Sequence, residues 1–120
     1  MIVKKTSSVV SDPTNNTTNP KRIPGAVVRY TITATNNSAI YAEGIVAKDN
    51  LNNQIVTLGD INWHGNLKVQ SPNINGGAWK SLTDSSGDDE GEFVGNEVIV
   101  RCGNINNSAP CTVTYEVIIQ

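Results

Sequence analysis

The stretch Leu82 to Phe93, LTDSSGDDEGEF, places five carboxylates within nine residues: Asp84, Asp88, Asp89, Glu90 and Glu92. The chain has 11 acidic residues in all, so almost half of them gather here, with no base among them. Carboxylates interleaved with hydroxyls suit calcium, a hard cation that takes about six to eight oxygens. An EF-hand template laid on Asp84 gives ligands at Asp84, Ser86, Asp88, Glu90 and Glu92. Its sharp-turn glycine falls on Asp89 and its closing bidentate glutamate on Gly95, so that template fails. An irregular calcium site on Asp84, Asp88, Glu90 and Glu92 stays open, with Asp49 or Asp60 adding oxygens from another loop. Two readings compete with it: an acidic surface facing a partner, and a solvated connection between strands. The solvated loop leads, because unpaired like charges repel one another and hold a segment in water.

Other chemistry has less to build on. His64 is the only histidine, and it sits in the turn-like segment NWHGN. No nucleophile elbow is present, and no cysteine is spaced to pair with a histidine base. Glycoside hydrolysis needs two carboxyls fixed about 5–10 Å apart across a cleft, which a loose acid run does not supply. No enzyme is expected. Trp63 and Trp79 would stack on a sugar if both were exposed; Trp63, beside Gly and Asn, is the candidate ligand residue, whereas core use suits Trp79.

The elements that must hold these residues are strands. The chain has thirteen Val, twelve Ile and eleven Thr but four Leu, a bias toward residues branched at Cβ, which fit a pleated strand and are restricted in a helix. Sixteen Asn and ten Gly supply turns. Its 120 residues make one domain, residues 1–120. Strands are predicted at Ile2–Val10, on an edge, then at Ala26–Thr35, Tyr41–Lys48, Gln54–Leu58, Leu67–Gln70, Ala78–Leu82, Asn96–Cys102 and Cys111–Ile119. In AVVRYTITAT, residues Val28, Tyr30, Ile32 and Ala34 share one face and Arg29, Thr31, Thr33 and Thr35 the other. Val113, Tyr115, Val117 and Ile119 share a face of the last strand in the same way. About seven such strands separated by turns predict an antiparallel β-sandwich with Greek-key connections.

Cys102 closes one strand and Cys111 opens the last. If the two strands form a hairpin, both thiols point to one side of its open mouth, where a disulfide can form; the alternative is two small buried thiols in a reducing cytosol. Closing so short a loop contributes roughly 2–3 kcal/mol by the chain-entropy argument, and a bridge implies an oxidising compartment. Zinc is disfavoured, because one histidine and two thiols do not complete four ligands. The net charge is −2, and no basic stripe serves nucleic acid or an anionic membrane. No apolar run reaches the roughly 18–20 residues of a membrane helix, so direct membrane insertion is not expected. The N-terminus lacks the long apolar centre of a secretory leader, which an exported chain would already have lost.

Asp12-Pro13, Asn19-Pro20-Lys21, Ile23-Pro24-Gly25-Ala26, Tyr30 and Asn36 together resemble the opening of the conserved-repeat domain of bacterial surface proteins (domain of unknown function 11). Asp49-Asn50-Leu51 is similar to that family's Asp-Pro-Leu segment, with Asn50 in place of the proline. Leu82-Thr83-Asp84 with Asp88 is similar to its later acidic stretch, and TVTYEVII to its closing strand. The likeness spans roughly residues 4–119. It implies an immunoglobulin-like sandwich within a larger secreted or cell-envelope chain, with no catalytic residue to carry over. The expected role is a structural or spacer module, extracellular, on the cell surface or periplasmic. Its expected partners are other domains of the same parent chain or envelope proteins. The alternative is a calcium-stabilised adhesive or carbohydrate-binding module.

Overall fold

The computed structural model describes Met1–Gln120. It is an antiparallel sandwich of eight strands where about seven were expected, β6 lying in a stretch read as loop: β1 (Ile2–Ser11), β2 (Val27–Thr35), β3 (Ala42–Asn50), β4 (Ile61–Gln70), β5 (Lys80–Ser81), β6 (Gly91–Val94), β7 (Glu97–Ile105) and β8 (Cys111–Ile119). One sheet has the order β1-β2-β8-β4-β5 and the other β3-β7-β6. The chain therefore changes sheet between β2 and β3, between β3 and β4, between β5 and β6, and between β7 and β8. The last strand is central, pairing with β2 from Val27↔Ile118 to Ala34↔Cys111 and with β4 from Ile61↔Ile119 to Gln70↔Thr112.

Alternation sets the core. Val28, Ile32 and Ala34 of β2 are buried with Val113, Tyr115 and Val117 of β8, and they meet Val98 and Val100 of β7 across the interlayer space. The predicted faces of β2 and β8 are thus the ones that turn inward. Leu67 and Val69 of β4 fill the same layer. Gly91 opens β6 in a crowded position: a Cβ there would stand 2.6 Å from Leu82 Cδ1, which would have to move.

Three expectations need correction. Gln54–Leu58 is not a strand; residues Asn53–Thr57 form a π-helical turn. Leu51 and Ile55, four apart, share one face of that turn and pack on the core, so helical spacing overrides a short β-branched run. The segment around His64 is not a turn but the middle of β4, where the register shifts on both sides of Gly65. Gly65 (φ 113°) and Asn66 (φ 56°) take the left-handed angles of a bulge, so turn residues here mark an irregular strand. Trp79 is not a core residue. Its neighbour Lys80 pairs with the inward Val69, so Trp79 falls on the outward parity and stays 46% exposed.

Candidate functional site

The acidic run is a folded loop between β5 and β6, and each of its five acids has a partner. Asp84 accepts a hydrogen bond from Trp63 Nε1 at 2.9 Å, and Asp88 accepts one from Thr83 Oγ1 at 2.5 Å. Asp89 takes the backbone N–H of Thr83 at 2.8 Å and that of Gly91 at 2.9 Å, closing the loop on itself. Glu90 pairs with Lys80 at 2.7 Å. Glu92 pairs with Arg101 at 3.0 Å and accepts from Ser86 Oγ at 2.8 Å. The repulsion argument is corrected accordingly: the missing bases come from β5 and β7, elements the linear sequence does not place beside the loop.

The electrostatics follow from these bonds. Burial opposes the charge on Asp89, but the Thr83 and Gly91 amides outweigh it and hold its carboxyl below the usual range. The Lys80 hydrogen bond lowers Glu90, and the Arg101 and Ser86 bonds lower Glu92. The calcium candidates Asp84, Asp88, Glu90 and Glu92 are thereby turned toward four different protein partners. Nowhere in the chain do three or more His, Cys, Asp or Glu side chains come together as a metal-holding group. Asp60 is exposed, and Asp49 faces the interlayer space on β3, at the opposite edge of its sheet from β6.

Trp63, the ligand candidate, is half-buried and its ring is in use. It stacks on Phe93 at 3.9 Å between centroids and on Tyr115 at 5.4 Å, and Tyr115 stacks in turn on Tyr30 at 5.5 Å. Four aromatic rings therefore run in file from β6 through β4 and β8 to β2. His64 points outward and is exposed. Trp79 is the exposed indole instead, beside Arg29, Asn66, Lys68 and Thr114 on the outer face. There Glu116, almost fully buried, takes Arg29 at 2.9 Å and Asn66 at 3.1 Å.

Cys102 and Cys111 form a disulfide, with Cα atoms 6.1 Å apart. The strands do not make the expected hairpin. Cys102 belongs to one sheet and Cys111 to the other, so the bridge crosses the sandwich at the β7–β8 crossover. Both cysteines are buried. Asn36 secures the same pole, donating to Ile40 O at 2.8 Å and Ile105 O at 3.0 Å.

At the opposite pole Asp12 secures the proline-rich connection. It accepts from the backbone N–H of Thr14, Asn15 and Lys21 and from the Asn15 amide. Gly25 (φ 87°) lies against Pro13, 2.6 Å from where a Cβ would stand. Burial would raise the Asp12 pKa, yet its four donors bring it from 3.8 to about 2. A carboxyl lowered on folding stabilises the fold above its unfolded pKa and loses that contribution as pH falls through the folded one. Asp12→Asn is therefore expected to melt several degrees lower at pH 7, with the gap to wild type closing between pH 4 and pH 2. Melting curves across that range check this; a gap independent of pH contradicts it.

Sequence reasoning did not bring Lys5, Asp49 and Tyr115 together, naming Asp49 only as a calcium candidate and Tyr115 only as an inward strand residue. Asp49 pairs with Lys5 at 2.7 Å and accepts a hydrogen bond from the Tyr115 hydroxyl. The sequence held no signal for Lys5, since Ile2 and Val10 lie on one parity of β1 and Val3 and Val9 on the other; only the pairing of Lys5 with Ile32 assigns its face. Comparison of the chain with family models, with curated proteins and with solved structures found no significant match.

Proposed function

We propose that this domain is a non-catalytic structural spacer of an exported bacterial cell-envelope or surface protein, an immunoglobulin-like module of the conserved-repeat kind. The observation that carries the reading is that the first strand starts and the last strand finishes at opposite poles. Ile2 lies opposite Thr35, at the Cys111 pole, whereas Ile119 ends β8 at the pole of Ser11 and Val27. Ten-residue strands rise roughly 33 Å and run along the long dimension of a body measuring 46 × 30 × 23 Å. A module entered at one pole and left at the other adds its full length to any chain of which it is part.

The disulfide supports an oxidising location, and its placement between sheets fits a body that must keep its shape. Neighbouring domains or envelope proteins are the partners of such a spacer. The calcium-stabilised or carbohydrate-binding alternative has less support: the loop acids are spent on protein partners, and the Trp63 ring is covered by Phe93 and Tyr115. Small-angle scattering of two copies joined by a short linker tests the spacer. The maximum dimension is expected to grow by about the 46 Å length of one copy; two copies folded side by side, with little growth, would contradict it.

A further inference from the structure

β1 and β3 are the edge strands of the two sheets, and they face each other across one flank of the sandwich. From β1, Lys5 pairs with the inward Ile32; from β3, Asp49 pairs with the inward Val98. Both charged side chains therefore lie on the flank between the layers, with the Lys5 side chain 38% exposed. Lys5 Nζ stands 2.7 Å from Asp49 Oδ2 and 4.8 Å from the centre of the Tyr30 ring. The Tyr115 hydroxyl, on a fully buried side chain, donates to the same carboxylate oxygen. Asp49 is only 15% exposed at its side chain.

An inward lysine on an edge strand has a familiar structural use, the prevention of edge-to-edge pairing. That role needs no carboxylate within contact distance and no buried hydroxyl aimed at that carboxylate. The three groups together make a different constellation: an amine against a carboxyl carbon one bond beyond its contact atom, with a donor polarising the carboxyl. Contact distance and fixed orientation of this sort are what make condensation within a protein feasible.

From this geometry we infer that Lys5 and Asp49 condense to an isopeptide bond that ties β1 to β3. The ammonium first passes one proton to the adjacent carboxylate. Neutral Nζ then attacks Asp49 Cγ, forming the C–N bond, while the Tyr115 hydroxyl holds the protonated Oδ2 and assists its departure. The C–O bond breaks, the departing oxygen takes up the second proton from nitrogen, and one water leaves. An ammonium and a carboxylate become an amide and a water, with charge and atoms balanced and no oxidant or cofactor required. Burial, the Asp49 carboxylate and Tyr30 push the Tyr115 pKa far up, so that its hydroxyl remains a donor throughout. The bond would link the two sheets on the β1–β3 flank, as the disulfide does at the β7–β8 crossover.

The inference stands on these contacts and does not depend on the spacer reading. Intact mass of the purified chain, unfolded and with its disulfide reduced, decides it. The expected mass is one water below that of the sequence, and a tryptic digest yields a branched peptide joining Lys5 to Asp49. Lys5→Arg, which keeps the charge but presents no attacking amine, returns the full mass. Tyr115→Phe slows appearance of the lighter species, followed by mass from the time the chain is synthesised, by roughly a hundredfold, the scale of losing one proton donor at a departing group. Full sequence mass in the reduced wild-type chain would overturn the inference and leave a simple ion pair, whatever the variants do. An unchanged rate in Tyr115→Phe would overturn the part given to Tyr115.

Discussion

Replacing Cys102 and Cys111 together by alanine is expected to lower the unfolding free energy by about 3 kcal/mol, in a chain where few single features are worth as much. The loop closed by the bridge is short, with a sequence separation of 9. Chain entropy alone assigns such a loop roughly 2.5–3 kcal/mol. The buried sulfurs add packing that alanine does not replace. The location raises the consequence, because the bridge is a covalent tie between sheets that share no strand pairing. For a chain of this size the melting temperature should fall by roughly 10–15 °C, and reduction of the wild-type protein should reproduce most of it. A fall of only a degree or two in calorimetry would show that the crossover is held by Asn36 and the core rather than by the bridge.

The second large effect is expected at Trp63. Its ring lies between Phe93 and Tyr115, and its Nε1 holds Asp84 at 2.9 Å. Trp63→Ala removes the second ring from a file of four and opens a gap beside the fully buried Tyr115. Large-to-small changes of this kind cost about 3–5 kcal/mol, and Trp63, only half-buried, belongs at the lower end. Trp63→Phe keeps the stack and loses only the Asp84 bond, worth about 1 kcal/mol. Chemical denaturation of the two variants separates the contributions. Near-equal losses would mean that the hydrogen bond, not the stacking, carries the site. An exposed sugar platform would instead leave stability almost unchanged in both.

These residues also show what the sequence made legible. Strict alternation identified β2 and β8, two adjacent strands inside the larger sheet, and it assigned their inward faces. It misread β4, because Gly65 and Asn66 carry turn chemistry inside a strand, and a bulge and a loop share that chemistry. It gave Trp79 to the core and left Trp63 open, although the structure buries more of Trp63. Parity decides that question, and the two-residue β5 is too short to display one. The acidic loop looked unpaired because Lys80 and Arg101 come from other strands. The Lys5–Asp49–Tyr115 group was invisible for the same reason. Its members come from the beginning, middle and end of the chain, and only sheet order brings them together.

The poles at which the chain enters and leaves also fix how the fold would bear load. β1 and β8 flank β2 and run parallel to each other, so tension between Ile2 and Ile119 slides both along β2 in opposite senses. Rungs perpendicular to the strands are then strained together, not one at a time. Single-molecule pulling tests the spacer account most directly, with Lys5→Arg throughout so that no lysine tie carries the load. Attached at Ile2 and Ile119, the domain should resist to a force several times that needed when it is attached at Ile2 and Thr35, the paired ends that unzip. Equal forces in the two geometries would contradict it.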